Sequence, residues 1–152
     1  INDKNFIISE NWTLIPSNYS EELHILVVKD LSLQNKFLDY KKSVDKKYTQ
    51  KITQIINNIE KNITDLKIKD IVYYSIEREL HIKTEQNTIL IFDLNWNIME
   101  QIEKIVIFNK EYLDINNETI IYIDLRIKNK VFYCLNENEV QCNLNLKSIY
   151  SK

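Results

Sequence analysis

The sequence predicts an α+β domain in which a mostly antiparallel β-sheet packs against two main helices. Three patterns lead to this prediction. Residues 120–127 alternate aliphatic and polar side chains at the period of a strand, residues 45–63 repeat apolar side chains at the period of a helix, and residues 71–93 divide into three short apolar runs. Strands that are grouped together, with only two helices between them, are typical of α+β folds.

The composition indicates one weakly acidic domain without glycine. The 152 residues carry a formal net charge of −2, no glycine and a single proline, Pro16. A chain without glycine lacks the loops that cradle nucleotide phosphates, and its turns at positive φ must use Asn or Asp. The lysines are spread along the chain and form no basic cluster, so we expect no nucleic-acid partner. No apolar run reaches the ~18 residues of a membrane span, so we expect membrane contact only through an anchor outside this chain.

The first elements are short strands. Apolar runs at residues 6–8 and 12–15 predict a β-hairpin that ends at Pro16, and residues 23–28 predict a further strand. Residues 31–43 fit either one short helix or an irregular connection.

The first long helix begins near Asp45, which is a candidate N-cap together with Ser43. Because Ile is β-branched and has a low helix propensity, packing against the sheet must stabilise this helix. Its apolar face is formed by residues spaced three and four apart, namely Tyr48, Ile52, Ile55, Ile56, Ile59 and Ile63.

A meander and a second helix follow. Residues 71–76, 80–84 and 88–93 predict three antiparallel strands joined by polar turns. Asn95 is the predicted N-cap of the second helix. The inner face of that helix carries Ile98, Ile102, Ile105 and Val106.

The longest β pattern of the chain lies near its C-terminus. Four aliphatic residues are expected on a buried face, namely Ile121, Ile123, Leu125 and Ile127. On the other face, Asp124 is expected to pair with Arg126 or with a neighbouring strand. Residues 131–135 predict the next strand, so the domain covers residues 1–135. Residues 136–152 form a polar tail with one possible extra strand at residues 140–144.

Cys134 and Cys142 are expected to be free. In a hairpin of residues 131–135 and 140–144, the two sulfur atoms would lie one register step apart on opposite faces. That geometry disfavours a disulfide and predicts two buried thiols.

The sequence carries no catalytic, metal or cofactor signature, and we predict a non-enzymatic protein without a small-molecule substrate. His24 and His81 have no Cys, Asp or Glu neighbour at ligand spacing. The Glu-Arg-Glu sequence at residues 77–79 predicts a solvated, charged turn. Phe132 and Tyr133, on the last predicted strand, are candidates for contact with another protein, since aromatic anchors are enriched in interfaces and a sheet edge accepts a foreign strand.

The order of elements and several segments resemble the extracytoplasmic β domain of the bacterial cell-division protein FtsQ, called DivIB in Gram-positive bacteria. The resemblance covers about residues 4–135. Its most specific part is Tyr122-Ile123-Asp124-Leu125-Arg126, which is similar to the family's (Y/V)DLR strand. The other matching segments are Phe6-Ile7-Ile8 with Pro16, the meander of residues 72–93, and the Ile-rich helix from Ile98. The chain departs from the family at Trp12 and Leu94-Asn95, where the family usually has glycine.

The resemblance implies a scaffold on the extracytoplasmic side of the inner or plasma membrane. It implies that the partners are division proteins of the FtsB and FtsL kind, which add a strand at the edge after the DLR strand. The implied partner-binding residues are Arg126, Ile127, Lys130, Val131, Phe132, Tyr133 and Cys134. Tyr133→Ala or a proline at Phe132 is predicted to abolish partner binding without unfolding the domain. The alternative function is a linker or accessory subunit of a large membrane complex in a plastid, another organelle or a bacterium.

Overall fold

The computed structural model describes residues 6–8, 14–16, 26–28, 46–74, 77–116 and 119–150 of the chain. These residues form an α+β fold, as predicted. The elements in chain order are β1 (Phe6–Ile8), β2 (Leu14–Pro16), β3 (Leu26–Val28), α1 (Lys46–Asn62), β4 (Ile68–Tyr74), β5 (Glu79–Thr84), β6 (Ile89–Asp93), α2 (Ile98–Glu111), β7 (Ile120–Asp124), β8 (Phe132–Leu135) and α3 (Glu139–Tyr150). The expected connection at residues 31–43 and the expected caps Ser43 and Asp45 lie outside the described residues.

The main sheet has six described strands in the order β3-β4-β5-β6-β7-β8, and β1 and β2 form a separate antiparallel pair. The pairs β4/β5, β5/β6 and β7/β8 are antiparallel, whereas β3/β4 and β6/β7 are parallel. The parallel pair β6/β7 requires a crossover, which α2 supplies. The prediction of a mostly antiparallel sheet with helices packed against it is therefore confirmed.

The two long helices cover one face of the sheet. Five of the six apolar residues predicted for the face of α1 are buried, and Ile56 is half-buried. On the sheet side, the Tyr48 ring lies 6.2 Å from the ring of Tyr73 in β4. The helix α2 is capped by Asn97, whose side chain accepts a hydrogen bond from the Met99 N–H at 3.0 Å. The predicted cap, Asn95, instead donates its N–H to Asp93 Oδ1 at 2.7 Å in the preceding turn.

Three turns in the described part of the chain use positive φ without glycine. Asn87 has a φ of 68° and Asn129 a φ of 57°, in agreement with the expectation that Asn replaces glycine at such positions. The third residue is Arg78, with a φ of 60°. Its carbonyl accepts the Leu94 N–H at 2.7 Å, and its guanidinium lies 5.0 Å from the centre of the Tyr48 ring. These contacts on both sides of the turn stabilise a backbone conformation that is unusual for arginine.

The prediction of an extra strand in the C-terminal tail was wrong. Residues 140–144 belong to the helix α3, which follows a short 3-10 turn at Asn136–Asn138, and not to an extra strand. A strand would place Val140, Cys142 and Leu144 on one face. The helix separates them, because it buries Cys142 completely and leaves Val140 and Leu144 exposed.

The two cysteines form a disulfide, so the prediction of free thiols was wrong. Their Cα atoms lie 5.8 Å apart, within the usual range for this bond. Free thiols would follow only if residues 131–135 and 140–144 formed a hairpin. A helix at residues 139–150 instead brings Cys142 back onto the face of β8 that carries Cys134. Separately, none of the three described helices has both the length and the hydropathy needed to cross a bilayer.

Candidate functional site

The candidate site is β8, the four-residue strand at one end of the main sheet. Among the described strands it pairs only with β7, in an antiparallel register that places Phe132 opposite Asp124 and Cys134 opposite Tyr122. Sheet edges of this kind present main-chain donors and acceptors that can pair with another chain.

The hydrogen bonds around β7 determine which main-chain groups of β7 and β8 point toward each other, that is, inward. The Leu125 N–H donates to the Ile91 carbonyl in β6 at 3.0 Å. Successive residues of a strand point their main-chain groups to opposite sides, so those of Asp124 point toward β8. Asp124 and Phe132 therefore exchange both main-chain hydrogen bonds. A proline at Phe132 is expected to break this pair and to disturb the fold.

At the other end of β8, the Asn136 N–H donates to the Thr119 carbonyl at 2.6 Å. The same alternation then directs the main-chain groups of Tyr133 and Leu135 away from β7. The Leu135 carbonyl lies 3.4 Å from Cys142 Sγ, so α3 approaches the edge there. With respect to the strands that the structure describes, the open part of the edge is therefore centred on Tyr133.

Two aromatic side chains flank the open part of the edge on opposite faces. Phe132 and Tyr133 are 49% and 47% exposed. The Tyr133 ring lies 5.2 Å from the ring of Phe108 in α2, on the helix side of the sheet, and Phe108 in turn stacks on the exposed Tyr112 at 6.2 Å. Phe132 lies on the other face, since it is directly opposite Asp124 in the register. A foreign strand at this edge would contact both rings.

The loop that leads into β8 is held by one lysine of α2. Lys104 Nζ donates hydrogen bonds to the carbonyls of Leu125, Ile127 and Lys130 at 2.5, 2.8 and 3.0 Å. The same ammonium lies 4.6 Å from the centre of the Trp96 ring, a cation–π distance. Burial lowers the pKa of Lys104, and the negative charges of Asp124 and Glu100 oppose this effect. Lys104 therefore positions the loop that leads into β8.

Replacing Lys104 by methionine is expected to lower the free energy of unfolding by about 2 kcal/mol, because three carbonyls lose a charged donor while the aliphatic stem remains. Urea unfolding measures the effect. Lys128→Met is the matched control, since Lys128 is an exposed lysine of the same loop, and no change in its unfolding midpoint is expected. Equal midpoints for the Lys104 variant and the native chain would contradict this role.

A buried cluster of charged residues lies on the sheet face opposite α1 and α2. Glu79, His81 and Asp124 are 8%, 7% and 8% exposed, and they alternate in sequence with core residues of the helix face. Arg126 joins them, since its guanidinium bonds Glu79 Oε1 at 2.5 Å and Asp124 Oδ2 at 2.6 Å. His81 Nε2 lies 3.3 Å from Glu79 Oε2, and its ring lies 4.5 Å from that of Tyr74. The cluster links β5 to the end of β7 across β6.

The electrostatics of the cluster favour a neutral histidine between charged neighbours. Burial lowers the pKa of His81, and this outweighs the hydrogen bond and charge of Glu79, which act to raise it. Burial also acts to lower the pKa of Arg126, but its hydrogen bonds and ion pairs with Asp124 and Glu79 raise that pKa above its ordinary value. Neutral His81 then donates Nε2–H to the Glu79 carboxylate, and Arg126 is shared by two carboxylates.

The predicted partner-binding residues are distributed over five environments. Phe132 and Tyr133 lie at the open edge, and Ile127 and Lys130 are exposed in the preceding loop. Val131 packs against the core, Cys134 is disulfide-bonded, and Arg126 belongs to the charge cluster. The predicted pairing of Asp124 with Arg126 is present in the structure.

Parts of the sequence-based description of this region were wrong. Glu79 is the first residue of β5 and is buried, not a solvated turn residue. Of the four aliphatic residues expected on one buried face, Ile123 and Leu125 are fully buried, whereas Ile121 is half-buried and Ile127 is 47% exposed. The strand register shifts between Ile120 and Tyr122, so Ile120 takes the core position that was assigned to Ile121.

Sequence reasoning missed Lys104 and Cys142 as residues that position the edge. Lys104 bonds carbonyls that lie 21 to 26 residues later in the chain, and no local pattern signals such a contact. Within the described ranges, no three His, Cys, Asp or Glu side chains come together in a way that could hold a metal ion. The sequence matches no protein-family model, and no curated protein is significantly similar to it.

Proposed function

We propose that the chain is a non-enzymatic docking domain that binds a protein partner by adding a strand of that partner to β8. The observation that carries this proposal is the outward direction of the Tyr133 main-chain groups, between the exposed rings of Phe132 and Tyr133. In strand addition, main-chain hydrogen bonds supply affinity and flanking side chains supply specificity. The edge offers both.

We further propose that the domain acts as an FtsQ/DivIB-like scaffold, with partners of the FtsB and FtsL kind. The support is the resemblance of the segment Tyr122-Ile123-Asp124-Leu125-Arg126 to the family's DLR strand, together with its position in and directly after β7. The strand that follows this segment is β8, at the end of the sheet. A docking strand in this place agrees with the role that the resemblance implies.

The disulfide supports an oxidising compartment. The bond between Cys134 and Cys142 is of a kind that persists outside the cytosol, as in the bacterial periplasm or at the cell surface. We therefore propose that the domain faces the extracytoplasmic side of the inner or plasma membrane.

The alternative, an accessory subunit of a large membrane complex, is favoured by a different observation. Val140 and Leu144 lie one turn apart on α3 and are 77% and 53% exposed. A subunit packed inside an assembly would cover this apolar pair. The identity of the protein captured at β8, a division protein or a component of another complex, distinguishes the two functions.

The docking proposal is tested with a photo-crosslinking amino acid at Phe132 of the full-length protein in its native cells. Tyr133→Pro removes one outward N–H and leaves the pairing with β7 intact, since proline is tolerated at sheet edges. We expect this change to reduce the crosslinked adduct by about tenfold, the effect of losing one main-chain hydrogen bond at the interface. Tyr133→Ala, which removes the ring, is expected to have a similar effect.

Tyr133→Phe is the matched control, because it keeps the ring beside Phe108 and the main-chain donor. It should give the native amount of adduct, and all three variants should unfold within about 1 kcal/mol of the native chain, as is usual for exposed positions. An undiminished adduct with Tyr133→Pro would show that the partner does not pair with the main chain of β8.

A further inference from the structure

The disulfide joins the docking strand to the helix α3. Cys134 is the neighbour of Tyr133, and its Cα lies 5.8 Å from that of Cys142, the fourth residue of α3. Cys142 is completely buried, whereas Cys134 is half-buried. A change in the oxidation state of this bond therefore acts directly on the strand with the open edge.

The helix α3 depends on this bond for its position. It has 12 residues, and Val140 and Leu144 point away from the domain and stay exposed. Beside the buried Cys142, Asn145 Nδ2 donates to the Tyr122 hydroxyl at 3.5 Å, the upper limit for a hydrogen bond. A helix of this length with two interior Asn residues is not stable alone in water, so contacts with the sheet must hold it, and the disulfide is the covalent one.

The strand β8 is also weakly held on its own. It has four residues, it pairs with one described strand, and its register shifts between Ile120 and Tyr122. Short edge strands open at a lower free energy than the strands of a sheet centre. A covalent bond at Cys134 limits the conformations that an opened β8 can reach, and so keeps it in the extended form.

We propose that the Cys134–Cys142 disulfide is a redox latch that keeps β8 in its docking form, an inference that rests on the proposed docking function. The reductant is a thiol or dithiol. Its thiolate attacks Sγ of Cys134, the half-buried sulfur, and Cys142 leaves as a thiolate and takes up a proton. A second reductant thiolate attacks the reductant sulfur of the mixed disulfide, which releases Cys134 as a thiol and the reductant as a disulfide. Two electrons and two protons pass to the protein.

In the reduced protein, α3 separates from the sheet and β8 frays. A partner strand then binds only the fraction of molecules in which β8 is extended. Its apparent affinity is the intrinsic affinity multiplied by that fraction. We expect about a tenfold loss, because ordering a few strand residues then accompanies binding.

Amide hydrogen exchange tests the latch without a partner. Three samples of the full chain are compared: oxidised, reduced with dithiothreitol, and the double variant Cys134→Ser/Cys142→Ser. The inward N–H groups of Phe132 and Cys134 should exchange about tenfold faster in the last two samples, whereas amides of β5 and β6 keep their protection. Reoxidation should restore the slow exchange.

Two exchange results would overturn the latch: unchanged protection in β8 after reduction, or an equal loss of protection across the whole sheet. Undiminished partner capture by the double variant would also overturn it. The tests separate the two proposals. If reduction with dithiothreitol speeds amide exchange in β8 as expected, but Tyr133→Pro does not reduce partner capture, the docking function alone is refuted.

Discussion

Replacing Arg126 by methionine is expected to lower the free energy of unfolding by about 3 to 5 kcal/mol, as is found when one partner of a buried ion pair is removed. The guanidinium bonds Glu79 and Asp124 at 2.5 and 2.6 Å, and all three side chains are at most 17% exposed. Without it, the two buried carboxylates lose the guanidinium that both of them bond. Chemical or thermal unfolding measures the loss.

Lys67→Met is the matched control for a lost ion pair. Lys67 Nζ lies 3.9 Å from Glu85 Oε2, but both side chains are largely exposed, and pairs of this kind contribute little to stability. We expect the control to unfold at the native midpoint. Adding Glu79→Gln and Asp124→Asn to Arg126→Met should recover part of the loss, because neutral amides cost less to bury unpaired than carboxylates. An Arg126→Met protein as stable as the native chain would contradict this account of the cluster.

The structural role of Arg126 makes its variants unsuitable for partner-binding experiments. The resemblance implies Arg126 as a contact residue, yet its side chain is held inside the domain. A loss of binding in an Arg126 variant would therefore not distinguish a lost contact with the partner from unfolding of the domain. The Tyr133 variants do not have this problem, because the side chain is half exposed and its main-chain groups point outward.

Phe92→Ala is expected to have an effect of similar size, a loss of about 3 to 5 kcal/mol, which is the usual cost of removing a buried aromatic ring from a core. Phe92 lies in β6, inside the six-stranded sheet, and it is fully buried in the core shared with α1 and α2. The cavity that remains has strands on both sides and helices above it, so it cannot collapse easily. Urea unfolding gives the change in free energy.

The same chemical change at the sheet edge is the control. Phe132→Ala removes an identical ring from a position that is 49% exposed, and a loss below about 1 kcal/mol is expected. If the Phe92 and Phe132 variants were equally destabilised, the core assignment around β6 would be wrong. Phe132→Ala is also expected to weaken partner binding, since it removes one of the two rings that flank the edge.

Elements with a long, regular pattern could be predicted from the sequence. The helix α1 repeats Ile at helical spacing over its whole length, and five of its six predicted inner residues are buried, whereas Ile56 is half-buried and the buried Thr49 was not predicted. The meander β4 to β6 was also predicted with small shifts in its ends. In both cases the apolar period alone decides the structure, because one face must be buried.

The tail could not be predicted, because its pattern fits two structures. Val140, Cys142 and Leu144 alternate as in a strand, and the alternation led to the wrong element and to the wrong state of both cysteines. What decides between the two structures is a contact between α3 and β8, which no local pattern contains. The role of Glu79 was missed for a similar reason, since its cation lies 47 residues further along the chain.

That separation has a consequence for the order in which the protein acquires its stability. A chain still on the ribosome, with Glu79 and His81 already made, lacks the guanidinium of Arg126 that bonds Glu79 until position 126 has left the exit tunnel. The central strands therefore complete their buried charge cluster only after the segment around Arg126 has been made, as is typical of folds in which distant segments meet.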